Sequence, residues 1–345
     1  MNENLATNGQ VFSSDDLCNA IRTTDFSNTA VTIVGYGFMG KRYLEALTSL
    51  GVGDIHVCSR SNQPLEALKG LEGISTTTGG FQKLARPASA NDLGIVATPT
   101  ADLLAAAAHL ANLGFRKILV EKPVSLWSHE IMTLATLFER LDIHGVTAYN
   151  RLAYPSYLEA RARTLWDGGI TSCIYTFTEM IQDDWPVRYT SNELTRWGVA
   201  NSLHPISMAH GLIGFPKTWN AQRFGAISWH PSGSVFVGAG VSELSVPFTY
   251  QADWTSKGRW SVEVNTQVAS YRLCPLEKLF TKTAALGNWE EVPITTFDHR
   301  VKTGIAEQVS AMISDDIRPM VPLLSIKQAA HITSYAENVF GYQSS

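Results

Sequence analysis

Val31-Thr32-Ile33-Val34-Gly35-Tyr36-Gly37-Phe38-Met39-Gly40 is the stretch on which the fold turns. Its apolar start leads into three glycines at G-x-G-x-x-G spacing, and Lys41-Arg42-Tyr43-Leu44-Glu45-Ala46-Leu47 continues with a helical pattern. Strand, glycine turn and helix in that order form the context in which the motif binds a dinucleotide. Gly35 is expected to make the tight turn, and Gly37 to let the backbone approach a pyrophosphate. Gly40 would let the helix pack close to the strand, with its first amides aimed at the phosphates. Tyr36, Phe38 and Met39 lie in the same turn and count with the glycines as candidate cofactor contacts.

The second strand reads Asp54-Ile55-His56-Val57-Cys58 and runs out into Ser59-Arg60-Ser61. NAD-binding chains carry an Asp or Glu roughly 20 residues past the glycines, where it accepts hydrogen bonds from the ribose 2′-hydroxyl. No carboxylate stands there in this chain. A carboxylate would repel a 2′-phosphate, whereas a guanidinium flanked by hydroxyls binds one through charge-assisted hydrogen bonds. Ser59 and Arg60 therefore favour NADP(H), with NAD(H) as the alternative.

At 345 residues the chain is long enough for two domains with sizeable cores. Hydrophobic residues make up 45% of it and the net charge is −4, the balance of an ordinary soluble globular protein. Lysines and arginines are scattered, so no basic stripe points to a nucleic acid. No apolar run approaches the roughly 20 residues that cross a bilayer, and the polar start, 1–28, lacks the pattern of a signal peptide. Cys18, Cys58, Cys173 and Cys274 form no C-x-x-C pair and read as thiols in a reducing cytoplasm. The histidines show no metal-site spacing, so no catalytic metal is expected.

After an N-terminal extension (1–29) with a short helix that Ser14 would cap, apolar strands alternate with helices. Strands are expected at 54–58, 93–97, 117–120 and 145–149, and helices at 101–113 and 128–141. Continuous apolar strands separated by helices imply a doubly wound parallel sheet covered on both faces, here over residues 30–150. From 151 to 345 the texture changes to an α/β domain with a large, open, mostly antiparallel sheet. Its strands are expected at 173–178, 224–229, 235–241, 248–254, 260–266 and 269–273. Residues 253–260 read as a hairpin turn, and helices are expected at 154–165, 304–313 and 325–340.

Three further sites carry candidate chemistry. Glu121-Lys122-Pro123 follows the strand at 117–120, where ligands bind in open α/β sheets, and a lysine there can set a positive charge beside a reacting oxygen. Tyr149-Asn150-Arg151 closes the last strand of the first domain and presents polar groups at the junction with the second. Arg196-Trp197-Gly198-Val199-Ala200-Asn201-Ser202-Leu203-His204 precedes an apolar helical stretch. A lone histidine is more often structural than catalytic, so His204 draws little weight by itself.

Over residues 30–340 these pieces resemble the Gfo/Idh/MocA oxidoreductase family. The glycine turn, the Thr98-Pro99 strand end, the Glu121-Lys122-Pro123 triplet, the Asn150-Arg151 junction and the histidine-bearing helix are spaced as in that family. The resemblance implies that Thr98, Pro99, Glu121 and Lys122 meet the cofactor, and that Lys122 and His204 line a cleft where substrate lies against the nicotinamide. It also implies a carbohydrate-like small-molecule substrate, with Tyr149, Asn150, Arg151, Trp197 and Asn201 as its contacts, and a homodimer or homotetramer formed through the second domain's sheet. Family members often carry an Asp four residues before the histidine and another three after it; Ala200 and Ser207 stand there instead. The histidine often found after the Thr-Pro strand end is Leu103. A histidine without a carboxylate partner lacks the group that would orient it and raise its pKa, so Lys122 ranks above His204 as the catalytic group.

The expected protein is thus a cytoplasmic NADP(H)-dependent oxidoreductase of a sugar, amino sugar, nucleotide sugar or cyclitol. By analogy its place would be cell-surface carbohydrate biosynthesis. The alternatives are a non-catalytic NAD(P)-binding sensor, which the residues at 200 and 207 favour, and a redox-elimination glycosidase holding its cofactor tightly.

Overall fold

The structure, a computed structural model, describes residues 11–86, 88–89 and 91–343. The first ten residues of the expected N-terminal extension lie outside the described residues; within the rest of it, α1 spans Ser14–Thr23. The chain divides into two compact units. One joins Asp16–Ala153 to Thr296–Ala330, and the other, among the described residues, joins Tyr154–Thr295 to 11–15 and 331–343.

The first unit is built on six parallel strands: β1 (Ala30–Val34), β2 (Asp54–Ser59), β3 (Ile74–Thr78), β4 (Leu93–Val96), β5 (Lys117–Glu121) and β6 (His144–Ala148). Their order, β3-β2-β1-β4-β5-β6, is the doubly wound arrangement of dinucleotide-binding sheets. Val31, Ile33, Leu93, Ile95, Ile118 and Leu119 are almost fully buried. A strand covered on both faces needs such an unbroken apolar run, which is why these strands show plainly in the sequence.

Helix α2 (Phe38–Leu50) buries Gly40, Tyr43, Leu44, Ala46, Leu47 and Leu50, a stripe at helical spacing. It stops at Gly51, whose left-handed backbone (φ 76°) lets its N–H bond the carbonyls of Leu47 and Thr48. Helices α3 (Leu103–Asn112) and α4 (Ser128–Arg140) follow β4 and β5. Strand β3 has no counterpart in the sequence expectations. It reads Ile-Ser-Thr-Thr-Thr and lies at the sheet edge, where β-branched polar residues suffice. His56 fastens it, its ring nitrogens 2.8 Å from Ser75 Oγ and 2.9 Å from Thr77 Oγ1.

The second unit carries eight strands: β7 (Ser172–Phe177), β8 (Pro216–Phe224), β9 (Val235–Ser242), β10 (Pro247–Asp253), β11 (Trp260–Asn265), β12 (Ser270–Leu273), β13 (Phe280–Lys282) and β14 (Glu290–Glu291). They run in the order β14-β13-β12-β11-β7-β10-β9-β8, antiparallel except where β10 lies parallel to β7. Its helices are α5 (Pro155–Trp166), the short α6 (Trp185–Arg188), α7 (Ser191–Thr195) and α8 (Trp197–Ala200), and α9 (Leu203–Ile213). The chain then re-enters the first unit with α10 (Ile305–Ile313), which packs on α2, and ends with α11 (Ile326–Phe340).

Two sequence expectations fail here. The strand expected at 224–229 is instead β8, which ends at Phe224; Gly225 takes a left-handed backbone (φ 72°) that a regular strand does not accommodate. Edge strand β8 is largely exposed and polar, so it lacks the alternation that marks a half-buried strand. The hairpin expected over 253–260 does not exist, because β7 lies between β10 and β11. Local turn chemistry at Asp253, whose Oδ1 accepts from Thr255 N–H at 2.9 Å, imitates a hairpin. Trp254, however, is buried and donates its indole N–H to Phe177 O at the end of β7 (3.3 Å), carrying the chain over that strand's end.

One face of this sheet is covered by α9 and α11. Tyr175 of β7 meets Tyr335 of α11 through their hydroxyls (2.7 Å), and its hydroxyl lies 3.2 Å from His210 Nε2 on α9. Burial pushes the His210 imidazole down to about 4, so it is neutral at pH 7. The other face bears Ile174 and Val241, 47% and 38% exposed. All four cysteines are free, and Cys18, Cys58 and Cys173 are buried.

Candidate functional site

In the first unit the glycine turn is threaded where no side chain fits. Gly35 sits at φ 100° and donates its N–H to Cys58 O of β2 (2.8 Å). A Cβ on Gly35 would lie 2.4 Å from Ala97 O and 2.7 Å from Thr98 N, at the end of β4. A Cβ on Gly40 would lie 2.0 Å from Gly35 O, so α2 presses directly on the turn. Gly37 is the opposite case: it caps α2, and a Cβ there would meet nothing within 4 Å.

The helix start therefore has open space before it, no side-chain cap and no acidic residue in its first turn. Those are the conditions under which backbone amides and the helix dipole hold an anion. Thr98 Oγ1, at the neighbouring strand end, is buried without a hydrogen-bond partner. An orphaned hydroxyl beside an open, uncapped helix start fits a dinucleotide's phosphates. Phe38 is 67% exposed, with the Arg42 guanidinium 5.3 Å and the Lys302 ammonium 5.6 Å from its ring centroid. The Lys41 ammonium lies 5.9 Å from the Tyr36 ring, and Met39 is half-buried.

Ser59 ends β2, and Arg60 follows it. Their carbonyls accept from Gly80 N–H (3.1 Å) and Gly79 N–H (3.2 Å), which fixes the backbone of the turn. The Arg60 side chain is 74% exposed and lies 3.7 Å from Asp102 Oδ2. An exposed pair of that kind contributes at most about 1 kcal/mol, so the guanidinium is easily given up to a phosphate.

At the end of β5 Glu121 is buried and accepts a 2.6 Å hydrogen bond from the Tyr43 hydroxyl of α2. Burial raises its carboxyl above the usual carboxylate range, while the Tyr43 bond and then the charges of Lys122 and Lys302 oppose the rise. Lys122 is half-exposed; Pro123 and Val124 behind it are buried. Val124 closes the turn by donating its N–H to Glu121 O (3.0 Å) and is held at φ 70°. A β-branched residue there is strained by about 1–3 kcal/mol, a cost found mostly at functional sites. Tyr149 is fully buried, Asn150 spends its amide on Thr303 O (3.1 Å), and Arg151 is half-buried.

In the second unit Trp197, Asn201 and His204 fall together on α8, the residues after it and the start of α9. His204 is 5% exposed, with its ring 6.0 Å from that of Trp260. Trp197 is buried against Trp185 (4.4 Å between ring centroids) and Tyr189 (4.7 Å), and its indole N–H has no hydrogen-bond partner. Positions 200 and 207 hold no carboxylate, yet one arrives from elsewhere in the chain. Glu179, two residues past β7, is buried and accepts from Asn201 Nδ2 (2.8 Å) and Ser202 Oγ (2.6 Å). Sequence reasoning missed it; an acid just past a strand end was the available signal. Among the described residues no three His, Cys, Asp or Glu side chains gather as a metal site requires, and no helix is long and apolar enough to cross a membrane.

Residues 29–147 match a family described as an oxidoreductase family with an NAD-binding Rossmann fold. Among curated proteins none matches the chain. Several solved structures share its fold. UDP-N-acetylglucosamine 3-dehydrogenase GnnA from Acidithiobacillus ferrooxidans is 11% identical at a TM-score of 0.67, over 91% of this chain and 97% of that one. An oxidoreductase from Agrobacterium radiobacter, in complex with NAD+, L-tartaric acid and magnesium, is 14% identical at 0.72, over 92% and 96%. The WlbA dehydrogenase from Bordetella pertussis, in complex with NADH and UDP-GlcNAcA, is 11% identical at 0.69, over 91% and 94%. At such identities the likeness is one of fold.

Removing the Glu179 carboxylate would strand one buried donor, Ser202, and one half-buried donor, Asn201. Glu179→Ala is expected to lower the unfolding free energy in urea by about 1–3 kcal/mol, and Glu179→Gln by less. An unchanged midpoint for Glu179→Ala would show that Asn201 and Ser202 find other acceptors.

Proposed function

We propose that this chain, a member of the Gfo/Idh/MocA oxidoreductase family through residues 29–147, is an NADP(H)-dependent oxidoreductase of a sugar, amino sugar, nucleotide sugar or cyclitol. The observation that carries the cofactor half is the uncapped start of α2 beside the orphaned Thr98 hydroxyl. For the phosphorylated cofactor the support is Arg60, loosely held at the end of β2 where an NAD-binding chain would carry an acid. For the substrate half the support is the family, together with the dehydrogenases of similar fold, two of which are named for or bound to a nucleotide sugar.

When bound, the nicotinamide supplies or accepts the hydride. Lys122 sets its ammonium beside the reacting oxygen and stabilises the alkoxide character that develops there. His204 donates or accepts the proton. Tyr149, Asn150, Arg151, Asn201 and Trp197 hold the substrate's hydroxyls, with the Trp197 indole N–H as a buried donor awaiting an acceptor. Glu179 fixes Asn201 and Ser202 at the start of the helix that carries His204. The presence of both Lys122 and His204 argues for a working site over a non-catalytic sensor. A cytoplasmic location and a role in cell-surface carbohydrate assembly complete the proposal.

Arg60→Ala should weaken NADPH roughly tenfold to a hundredfold, the size of one lost hydrogen bond to a charged group, and leave NADH almost unchanged. Fluorescence titration tests this, and equal affinity of the unaltered protein for both cofactors would refute the preference. NADPH oxidation against a panel of keto- and aldo-sugars tests the activity itself. With a substrate in hand, Lys122→Met should lower turnover by about a hundredfold to ten-thousandfold while cofactor binding survives, and His204→Ala should cost less. If His204→Ala abolishes activity and Lys122→Met retains most of it, the two roles are reversed. A second copy of the chain should cover the sheet face bearing Ile174 and Val241, forming a dimer or tetramer; sedimentation as a monomer at micromolar concentration would count against that interface.

A further inference from the structure

We propose that Lys302 is a pyrophosphate-binding residue of the dinucleotide site, supplied by the segment that returns to the first unit after residue 295. The assignment rests on the cofactor reading above. Nothing in the glycine motif points to this lysine, which lies far along the chain. Its ammonium nonetheless stands 5.6 Å from the ring centroid of Phe38, the first residue of α2 and the next after Gly37. Its charge is also felt by the buried Glu121 carboxyl at the end of β5. A cation near both places lies along the carboxyl-end edge of the sheet, where open α/β folds take their ligands.

The lysine is held there and does not drift on a loose loop. On one side of it Asp298 accepts from Ser49 Oγ of α2 at 2.7 Å. On the other, Thr303 O accepts from Asn150 Nδ2, and α10 packs on α2 directly afterwards. Lys302, between these anchors, is half-exposed. The second cation over Phe38, Arg42, donates two hydrogen bonds of 2.8 and 3.1 Å to Glu45. Helix amides and a dipole attract an anion weakly on their own; a positioned ammonium adds a full charge and up to three donors.

Arg60 and Lys302 stand at different parts of this edge: Arg60 follows β2 with its guanidinium against Asp102, whereas the Lys302 ammonium stands over Phe38 at the start of α2. Arg60 is placed for the 2′-phosphate of NADP(H), and Lys302 for the phosphates that every dinucleotide carries.

The test measures binding by three probes: NADPH, NADH and ADP-ribose, which keeps the pyrophosphate but lacks the nicotinamide. Lys302→Met preserves the apolar stem against Phe38 and should weaken all three by roughly tenfold to a hundredfold. Lys302→Arg, which keeps the charge, should bind within a few-fold of the unaltered protein, and unchanged melting temperatures would confirm that both variants fold. Arg60→Ala, in contrast, should weaken NADPH alone. Unchanged affinities in Lys302→Met would reduce the lysine to packing on Phe38. A loss confined to NADPH would move it to the 2′-phosphate, and a loss for both cofactors that spares ADP-ribose would move it to the nicotinamide end; each overturns the assignment. If the unaltered protein binds none of the three probes, the cofactor reading fails, and the role of Lys302 with it.

Discussion

The first unit depends on one contact that only two glycines permit. Gly40 of α2 rests on the carbonyl of Gly35 at a distance no Cβ could occupy, and Gly35 itself is wedged against Ala97 and Thr98. That contact fixes where α2 starts. It leaves the first amides of the helix facing open space beyond Gly37, and one turn later it delivers the Tyr43 hydroxyl to Glu121. The acid that precedes Lys122 is thereby tied to the same helix that would hold the phosphates. Glycine motif and Glu121-Lys122-Pro123 triplet lie far apart in sequence but form one mechanical unit.

Buried charge is the second organising theme. A carboxylate removed from water must be met by donors or give up its charge. Glu121 finds Tyr43, Glu179 finds Asn201 and Ser202, and Glu337 of α11 finds Arg196, whose guanidinium also stacks on Tyr342 at 4.7 Å. Each pair joins segments remote in sequence and so sets the position of a backbone as well as a charge. In the second unit Glu337 holds Arg196, just before Trp197, and Glu179 holds Asn201 and Ser202, just before His204, so that short helical stretch is pinned at two points.

How much of this was legible in the sequence follows from what each residue needs locally. Strands β1, β4 and β5 are buried on both faces and announce themselves as apolar runs, and α2 carries its own start and stop in Gly37 and Gly51. That Arg60 and Lys122 stand just past the ends of β2 and β5 was legible because the apolar runs before them mark the strands. Edge strands β3 and β8 were not, because one solvated side removes the apolar alternation that marks a strand. The apparent hairpin at Asp253 was misread since its local turn bonds are real, while the decisive burial of Trp254 against the end of β7 is a long-range effect. Lys302 belongs to the same class, since its neighbours are chosen by the fold; Glu179 had the signal of an acid just past a strand end, but its partners Asn201 and Ser202 are likewise set by the fold.

The return of residues 296–330 to the first unit has a consequence for how the protein is made. Helix α10 covers α2, and Thr303 receives the Asn150 amide, so the nucleotide-binding half is not a continuous piece of chain. During synthesis its six strands emerge early, yet the helix that covers α2 leaves the ribosome only after the entire second sheet. At about 5–20 residues per second the uncovered side of α2 waits roughly 10–50 seconds for its partner. Over that interval the growing chain exposes the side of α2 that α10 covers in the finished protein.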